Sequence, residues 1–293
     1  MVRRQVRTRK SQGVQLNSLE FTTLIFAGSL FAGFLGALTG LGGGVVVIPL
    51  LTVIFGVDIH YAMGAALVSV IATSSGAAAA YVREGYSNIR VGMFLEMATT
   101  AGALVGATLV LYLHASVIAI IFGLVLIYSA LVSFHEGSPL KPGLGPDPIA
   151  TWLHMDSTYP TSSGLVSYHV RGVPMGFVLM VVAGVLSGLL GIGSGAEKVL
   201  AMDKAMKLPF KVSTTTSNIM IGVTAAAGAG IYLSRGYIDP GLVMPVMLGV
   251  LAGSLIGARE LAGAKVRVLR IVFAVVISAL AIEMIYSGLR GKI

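Results

Sequence analysis

GLGGGVVVIP occupies Gly40 to Pro49, and GIGSGAEKVL occupies Gly191 to Leu200, 151 residues further on. A glycine costs roughly 1 kcal/mol relative to alanine inside a helix, so a cluster of glycines breaks one. Both clusters nevertheless lie in sequence apolar enough for a lipid bilayer. Hydrophobic residues make up 56% of the 293-residue chain and charged residues 11%, against roughly 45–50% and about 25% in a soluble domain. The surroundings are membrane, and a backbone break placed there needs a reason.

Eight windows come near the roughly 20 apolar residues that a spanning helix requires. They are Phe21 to Thr39, Tyr61 to Val82, Val91 to Leu113, Ser116 to Phe134, Val173 to Leu190, Val212 to Leu233, Pro240 to Ala258 and Leu269 to Tyr286. Two shorter stretches, Val45 to Phe55 and Ala196 to Leu208, follow the glycine clusters and are too short or too polar to cross alone. The expected fold class is an all-α polytopic membrane protein with about 8 transmembrane helices (7–9) plus these half-spans.

The net charge of +8 does not indicate nucleic acid, because of where the charges lie. Arg3, Arg4, Arg7, Arg9 and Lys10 crowd ahead of the first apolar window. That is the positive-inside signature of a cytoplasmic N-terminus in a cell-membrane protein, and it suits contact with anionic lipid. A cleaved signal peptide is not expected, since the first apolar run aligns with an internal segment. The chain has no cysteine, so disulfides and thiolate sites are excluded.

Sliding the chain on itself by 151 residues brings Gly33, Gly40, Gly42 and Gly44 onto Gly184, Gly191, Gly193 and Gly195. The same register brings Gly85-Tyr86 onto Gly236-Tyr237, and Gly102 and Gly106 onto Gly253 and Gly257. A constant register over about 75 positions, with glycines leading, reads as an internal duplication. The expected organisation is a basic tail (1–18), a first repeat (19–134), a polar Pro- and Gly-rich linker (135–172) and a second repeat (173–293).

Repeated halves with a glycine-interrupted segment at the same place in each point to a secondary transporter's binding site. Backbone groups freed by a break in the membrane cost several kcal/mol each unless protein, water or substrate satisfies them. Exposed N–H groups at half-helix starts suit a small anion. Close packing is the competing reading, and it is preferred for the GxxxG pairs Gly36/Gly40, Gly102/Gly106 and Gly253/Gly257. A nucleotide loop is not indicated, since no Gly-Lys-Ser/Thr follows either cluster.

Together with the segment Lys211-Val-Ser-Thr-Thr-Thr-Ser-Asn218, the two glycine clusters and Pro49 resemble the TauE/SafE sulfite exporter family of membrane permeases. The resemblance runs from Phe21 to Gly288 apart from the linker. It implies a duplicated permease for small anions, often sulfur-containing ones such as sulfite or sulfonates. It also implies a Gly-Thr-Ser type triplet after each break. Thr215, Thr216 and Ser217 match it in the second half, whereas Gly64, Ala65 and Ala66 stand at the aligned first-half positions. Pro49 has Leu200 as its counterpart, so an asymmetric site is expected.

The candidate substrate-binding residues are therefore Gly42, Gly43, Gly44, Gly193, Ser194, Gly195, Thr216, Ser217 and Asn218. Neutral hydroxyl and amide groups bind an oxyanion without burying permanent charge. Ser213 has a second reading as the cap of the following helix. Thr73, Ser74 and Ser75 are expected to bond back to their own helix or to a neighbour, with lining of the pathway as the alternative. Glu96, inside a span, is expected to pair with Arg90 near the interface. Glu197, Lys198, Asp203, Lys204 and Lys207 make the second half-span look like a surface or mouth helix, with Lys198 and Lys211 drawing anions inward.

Two topologies remain open. Parallel repeats put Arg259, Lys265, Arg267 and Arg270 opposite the basic tail, and inverted repeats are expected to put them on the same side. The leading function is an anion transporter working by alternating access; a passive channel and a membrane enzyme are the alternatives. No catalytic, metal or cofactor constellation is visible, the five histidines being scattered at 60, 114, 135, 154 and 169. The expected partners are a small anion and the bilayer.

Overall fold

The computed structural model of the chain describes residues 18–39, 43–83, 87–133, 147–161, 164–260 and 266–291. Its helices fall into two series. The first is α1 (Ser18–Thr39), α2 (Gly44–Pro49) running into a π-helical turn (Leu50–Ile54), α3 (Ile59–Arg83), α4 (Ile89–Leu109) and α5 (Ala115–Ser133). After a short α6 (Pro148–Trp152) and a hairpin of β1 (Ser157–Thr161) and β2 (Gly164–Tyr168), the second series begins. It consists of α7 (Val173–Leu190), α8 (Gly195–Leu200) with its π turn (Ala201–Ala205), α9 (Phe210–Ser234), α10 (Pro240–Glu260) and α11 (Val266–Leu289). From α2 to α4 every boundary recurs 151 residues later, from α8 to α10.

The protein is an all-α polytopic membrane protein. Five described helices are long and apolar enough to cross a bilayer, and shorter apolar helices accompany them. Their packing inverts the pattern of a soluble helix. On α4 the inward stripe is mostly small, with Gly92, Ala98, Thr99, Gly102, Ala103, Gly106 and Ala107 buried beside Val91 and Leu95, while Met93, Met97, Leu104, Val105 and Leu109 face outward. Lipid solvates the large side chains, so helix association depends on close backbone approach. A Cβ on Gly106 would fall 2.8 Å from Leu189 N, and one on Gly253 would fall 2.8 Å from Phe34 N.

Neighbouring residues fix the helix directions. Gly249 lies on Phe26 and Ser29, and Gly253 on Leu30 and Phe34, so α1 and α10 run parallel. Gly102 meets Val185 and Gly106 meets Leu189, so α4 and α7 also run parallel. By contrast, Gly222 faces Ser74, Gly228 faces Leu67, and Tyr232 donates to Met63 Sδ at 3.3 Å, which makes α3 and α9 antiparallel. α5 and α11 are antiparallel too, with Gly288 on Ser116 and Gly123 on Ala281.

Each half-helix doubles back along the helix before it. Gly43 sits against Gly33, Leu50 against Gly28, and the rings of Phe55 and Phe21 meet edge-on at 6.1 Å. In the second series Ser194 Oγ donates to Ala183 O, and Arg171 N donates to Met206 O at 3.1 Å. An α-helix rises about 1.5 Å per residue, so each eleven-residue return covers about 16 Å, roughly half the hydrocarbon core.

One expectation changes here. α10 runs parallel to α1, so its Glu260 end lies on the face opposite Ser18, whereas the inverted reading of the sequence puts the end of this helix on the side where α1 starts. The described part of the linker holds a short helix and a hairpin. Its hairpin pairs Ser157 with Tyr168 and Thr161 with Gly164, and Met155, Tyr168 and Val170 pack against Met202, Met206 and Leu208. Asn88 clamps it, with Nδ2 donating to Met155 O and to Tyr168 Oη, both at 2.8 Å.

Candidate functional site

The two breaks meet in the interior. A Cβ on Gly44 would lie 3.0 Å from Val70 Cγ2 and 3.7 Å from the carbonyl oxygen of Gly191. A Cβ on Gly193 would lie 2.8 Å from Ile221 Cγ2 and 3.2 Å from Val70 Cγ1. Gly191 ends α7 in the left-handed conformation at φ 70°, and Gly193 and Ser194 follow at φ 75° and 49°. Ser194 is the exception to the preference of that region for glycine. Its hydroxyl, held by Ala183 O at 2.6 Å, secures the turn. Residues 187–195 are all buried, so the broken backbone is enclosed by protein as the membrane requires.

Around this turn the structure gathers Gly44, Gly193, Ser194, Gly195 and Ser217, whose Oγ donates to Gly195 O at 3.2 Å. Gly43 caps α2, its carbonyl accepting from Val46 N and Val47 N. Asn218 is half-buried on the α9 face that carries Ile221 and Gly222 toward α3. Thr216 is engaged elsewhere, its hydroxyl accepting from Asn88 N at 3.0 Å where the hairpin docks. Gly42 lies outside the described residues. Thr73 and Ser75 bond back to Ser69 O and Ile71 O within α3.

Three readings of charge and capping are corrected. α9 starts at Phe210, not Ser213, and the buried Ser213 Oγ has no partner among the described residues. Arg90 donates to His154 O at 2.9 Å rather than to Glu96. The second half-span is no surface helix, because Lys198 is 0% exposed and Asp203 only 8%.

The residues that sequence reasoning undervalues lie one turn past the second break. Lys198 Nζ donates to Thr224 Oγ1 at 2.5 Å, and Thr224 Oγ1 donates to Glu96 Oε1 at 2.6 Å. Thr100 Oγ1 donates to the same carboxylate oxygen at 3.1 Å. The other oxygen, Glu96 Oε2, is buried without a hydrogen-bond partner among the described residues. An ammonium offers three donors. The Lys198 amine is thus fully buried and linked to the Glu96 carboxylate through a single hydroxyl. The sequence carries a signal for it in ionisable residues within apolar segments, which are functional candidates by default. No group of three or more His, Cys, Asp or Glu suited to a metal occurs among the described residues.

A helical membrane protein with two half-helices meeting in its interior is the architecture of a membrane transporter, and likeness to known proteins agrees. The family model for sulfite exporter TauE/SafE matches residues 25–284, and the chain belongs to that family. It is 28% identical to the probable membrane transporter protein YdhB of Bacillus subtilis (strain 168), over 80% of this chain and 87% of the relative. To the probable membrane transporter protein YunE of the same organism it is 24% identical over 92% and 99%. To the probable membrane transporter protein ORF9 of a Sinorhizobium species it is 25% identical over 89% and 91%. No solved structure matches the chain.

Proposed function

We propose that the protein is a secondary transporter for a small anion, of the sulfite or organosulfonate class, working by alternating access around the two breaks. The observation that carries this reading is the meeting of Gly44 with the left-handed turn Gly191 to Ser194 in a fully buried centre. Backbone there cannot be paired as a helix, which is tolerated in a membrane where it lines a substrate path. The binding set is Gly42, Gly43, Gly44, Gly193, Ser194, Gly195, Ser217 and Asn218, with Thr216 at its edge. The buried Lys198 beside it favours a negative substrate.

The helix directions support inverted repeats (19–134 and 173–293) joined by the 135–172 connector. Helices that correspond at the 151-residue offset, α3 with α9 and α5 with α11, run antiparallel. A two-fold axis that relates them must cross the helices, so it lies in the membrane plane. The reading has eight spanning helices and two half-spans. Five basic residues within the first ten support a cytoplasmic N-terminus in the cell membrane; Arg90, Arg171, Lys207 and Lys211 mark the other face, so charge alone is a poor guide to sidedness. The transporter names of the relatives favour transport over catalysis.

Reconstituted in vesicles, the protein should take up sulfite or a sulfonate with saturation and should exchange internal for external substrate. Gly193→Leu should abolish uptake in a variant that still purifies folded, because the side chain meets Ile221 and the backbone is left-handed. Flux that rises linearly with concentration and shows no exchange would indicate a channel instead.

A further inference from the structure

Lys198, Thr224 and Glu96 form a closed electrical unit inside the membrane, and its geometry is incomplete in one respect. Thr224 occupies one ammonium donor and one carboxylate oxygen. The remaining Lys198 donors and Glu96 Oε2 have no partner among the described residues. Buried charge-bearing atoms of opposite sign, joined only through one hydroxyl, are costly as a purely structural device, since such pairs stabilise only when fully hydrogen-bonded.

Resting on the anion-transport reading above, we propose that Lys198 is the cation site for a monovalent anion and that Glu96 takes up one proton as the anion binds. The charge balance requires it. Of the two carboxylates near Lys198, Glu197 and Glu96, only Glu96 is bridged to it by Thr224; that bridged pair sums to zero with Glu96 ionised, and a bound anion alone would add one uncompensated negative charge in a low-dielectric interior. Transfer of a proton to Glu96 Oε2 restores neutrality: the new O–H bond forms as the buffer acid in solution gives up its proton and is left as its conjugate base, and the anion becomes the counter-ion of Lys198. Anion and proton then bind as a pair, and the carrier is electroneutral for the loaded step. Thr224 is the positioning residue, passing from a donor to the carboxylate to a donor toward the anion.

The groups that face this unit are few. On its own segment Lys198 has Glu197 as neighbour, and Tyr128 of α5 faces Glu197. α4 contributes Glu96 with Thr99 and Thr100, and α9 contributes Thr224. α7 carries no ionisable residue. Glu96 is therefore the group best placed to change protonation when Lys198 changes partner.

The test is calorimetric titration of the purified full chain with methanesulfonate, isethionate, acetate and chloride at pH 7, in two buffers of different ionisation enthalpy. Each probe stays monovalent at that pH, so proton uptake reports the protein. Wild type should take up about one proton per anion bound. Glu96→Gln should bind with no proton uptake. Lys198→Met should lose at least about tenfold in affinity, and Lys198→Arg should restore part of it. Anion binding without proton uptake in wild type, which needs no variant to fold, overturns the coupling and leaves the anion reading standing. Undiminished binding by folded Lys198→Met overturns the site. Absence of saturable binding by all four probes overturns the anion reading along with it.

Discussion

The two half-helices share one backbone and differ in chemistry. Gly44 to Ile54 reads GVVVIPLLTVI, and Gly195 to Ala205 reads GAEKVLAMDKA. Both pass from an α-helix into a π turn at the same relative position. Phe55 N donates to Leu50 O and Val57 N to Leu51 O in the first; Met206 N donates to Ala201 O and Leu208 N to Met202 O in the second. Pro49 stands only in the first copy, so proline does not cause the turn. The residues that correspond to Lys198, Thr224 and Glu96 are Val47, Thr73 and Met247. Val47 is fully buried, as Lys198 is, and Thr73 bonds back to its own helix. Shape is common to the two halves, whereas charge belongs to one.

That asymmetry can be broken most severely at the charges. Lys198→Met should destabilise the protein by about 3–5 kcal/mol, because it leaves the Glu96 carboxylate buried and unpaired. The double variant Lys198→Met with Glu96→Gln should recover most of that loss in a thermal unfolding scan while remaining inactive. Placing the charge in the other copy, Val47→Lys, should cost about 3 kcal/mol with no carboxylate to offset it. Equal stability of Val47→Lys and wild type would show that the first half holds a counter-charge or a water path of its own.

The hairpin offers a second, smaller contrast, since the described residues place such a cap beside the second half-helix. Asn88→Ala removes the donors to Met155 O and Tyr168 Oη and the acceptor that caps Val91 N. A buried polar network of this kind is worth about 1–3 kcal/mol. Limited proteolysis should then cut within 155–168 faster than in wild type, with the spans intact.

Much of this is legible in composition and spacing. The glycine clusters and the offset of 151 mark helix ends because glycine acts locally, and described helices end at Thr39 and Leu190 and start at Gly44 and Gly195. Burial of Lys198 is not legible. A six-residue run with Glu197 and Lys198, followed by Asp203 and Lys204, has the appearance of a wetted face, and only the arrival of Glu96 from α4 and Thr224 from α9 makes an enclosed charge tolerable. Thr216 reads as a ligand from its place in a hydroxyl run, but its partner, Asn88 N, is 128 residues distant. Helix direction escapes the sequence for a similar reason: basic clusters report sidedness only in sum, and they occur on both faces. The hairpin has a signal, Ser162-Ser163-Gly164 between short segments that each carry a tyrosine, which is hard to separate from the turn residues of a polar linker.

The smallest contrast lies at the two helix starts after the half-helices, Asp58 ahead of α3 and Pro209 ahead of α9. Burial pushes the Asp58 carboxyl up, but hydrogen bonds from the His60 side chain and backbone outweigh it and hold the group below its ordinary value. Stability from Asp58 is therefore present above the ordinary carboxylate range and is lost as pH falls through the depressed value. Half-exposed pairs of this kind are worth about 0.2–1 kcal/mol. Asp58→Asn, which keeps a capping group, should flatten the acid side of a plot of unfolding temperature against pH and leave pH 8 nearly unchanged.

The parallel pairing of α1 with α10 has a consequence for synthesis. Gly33 is seated against Val250, 217 residues later in the chain. At about 5–20 residues per second, α1 waits on the order of 10–40 s in the bilayer before its partner is made. During that interval α2 of the same chain covers α1 only in part, Gly43 lying on Gly33 and Leu50 on Gly28, and the contact with Val250 stays unfilled. Crossed pairing of α1 with the α10 of another copy is the misfolding route that this topology leaves open.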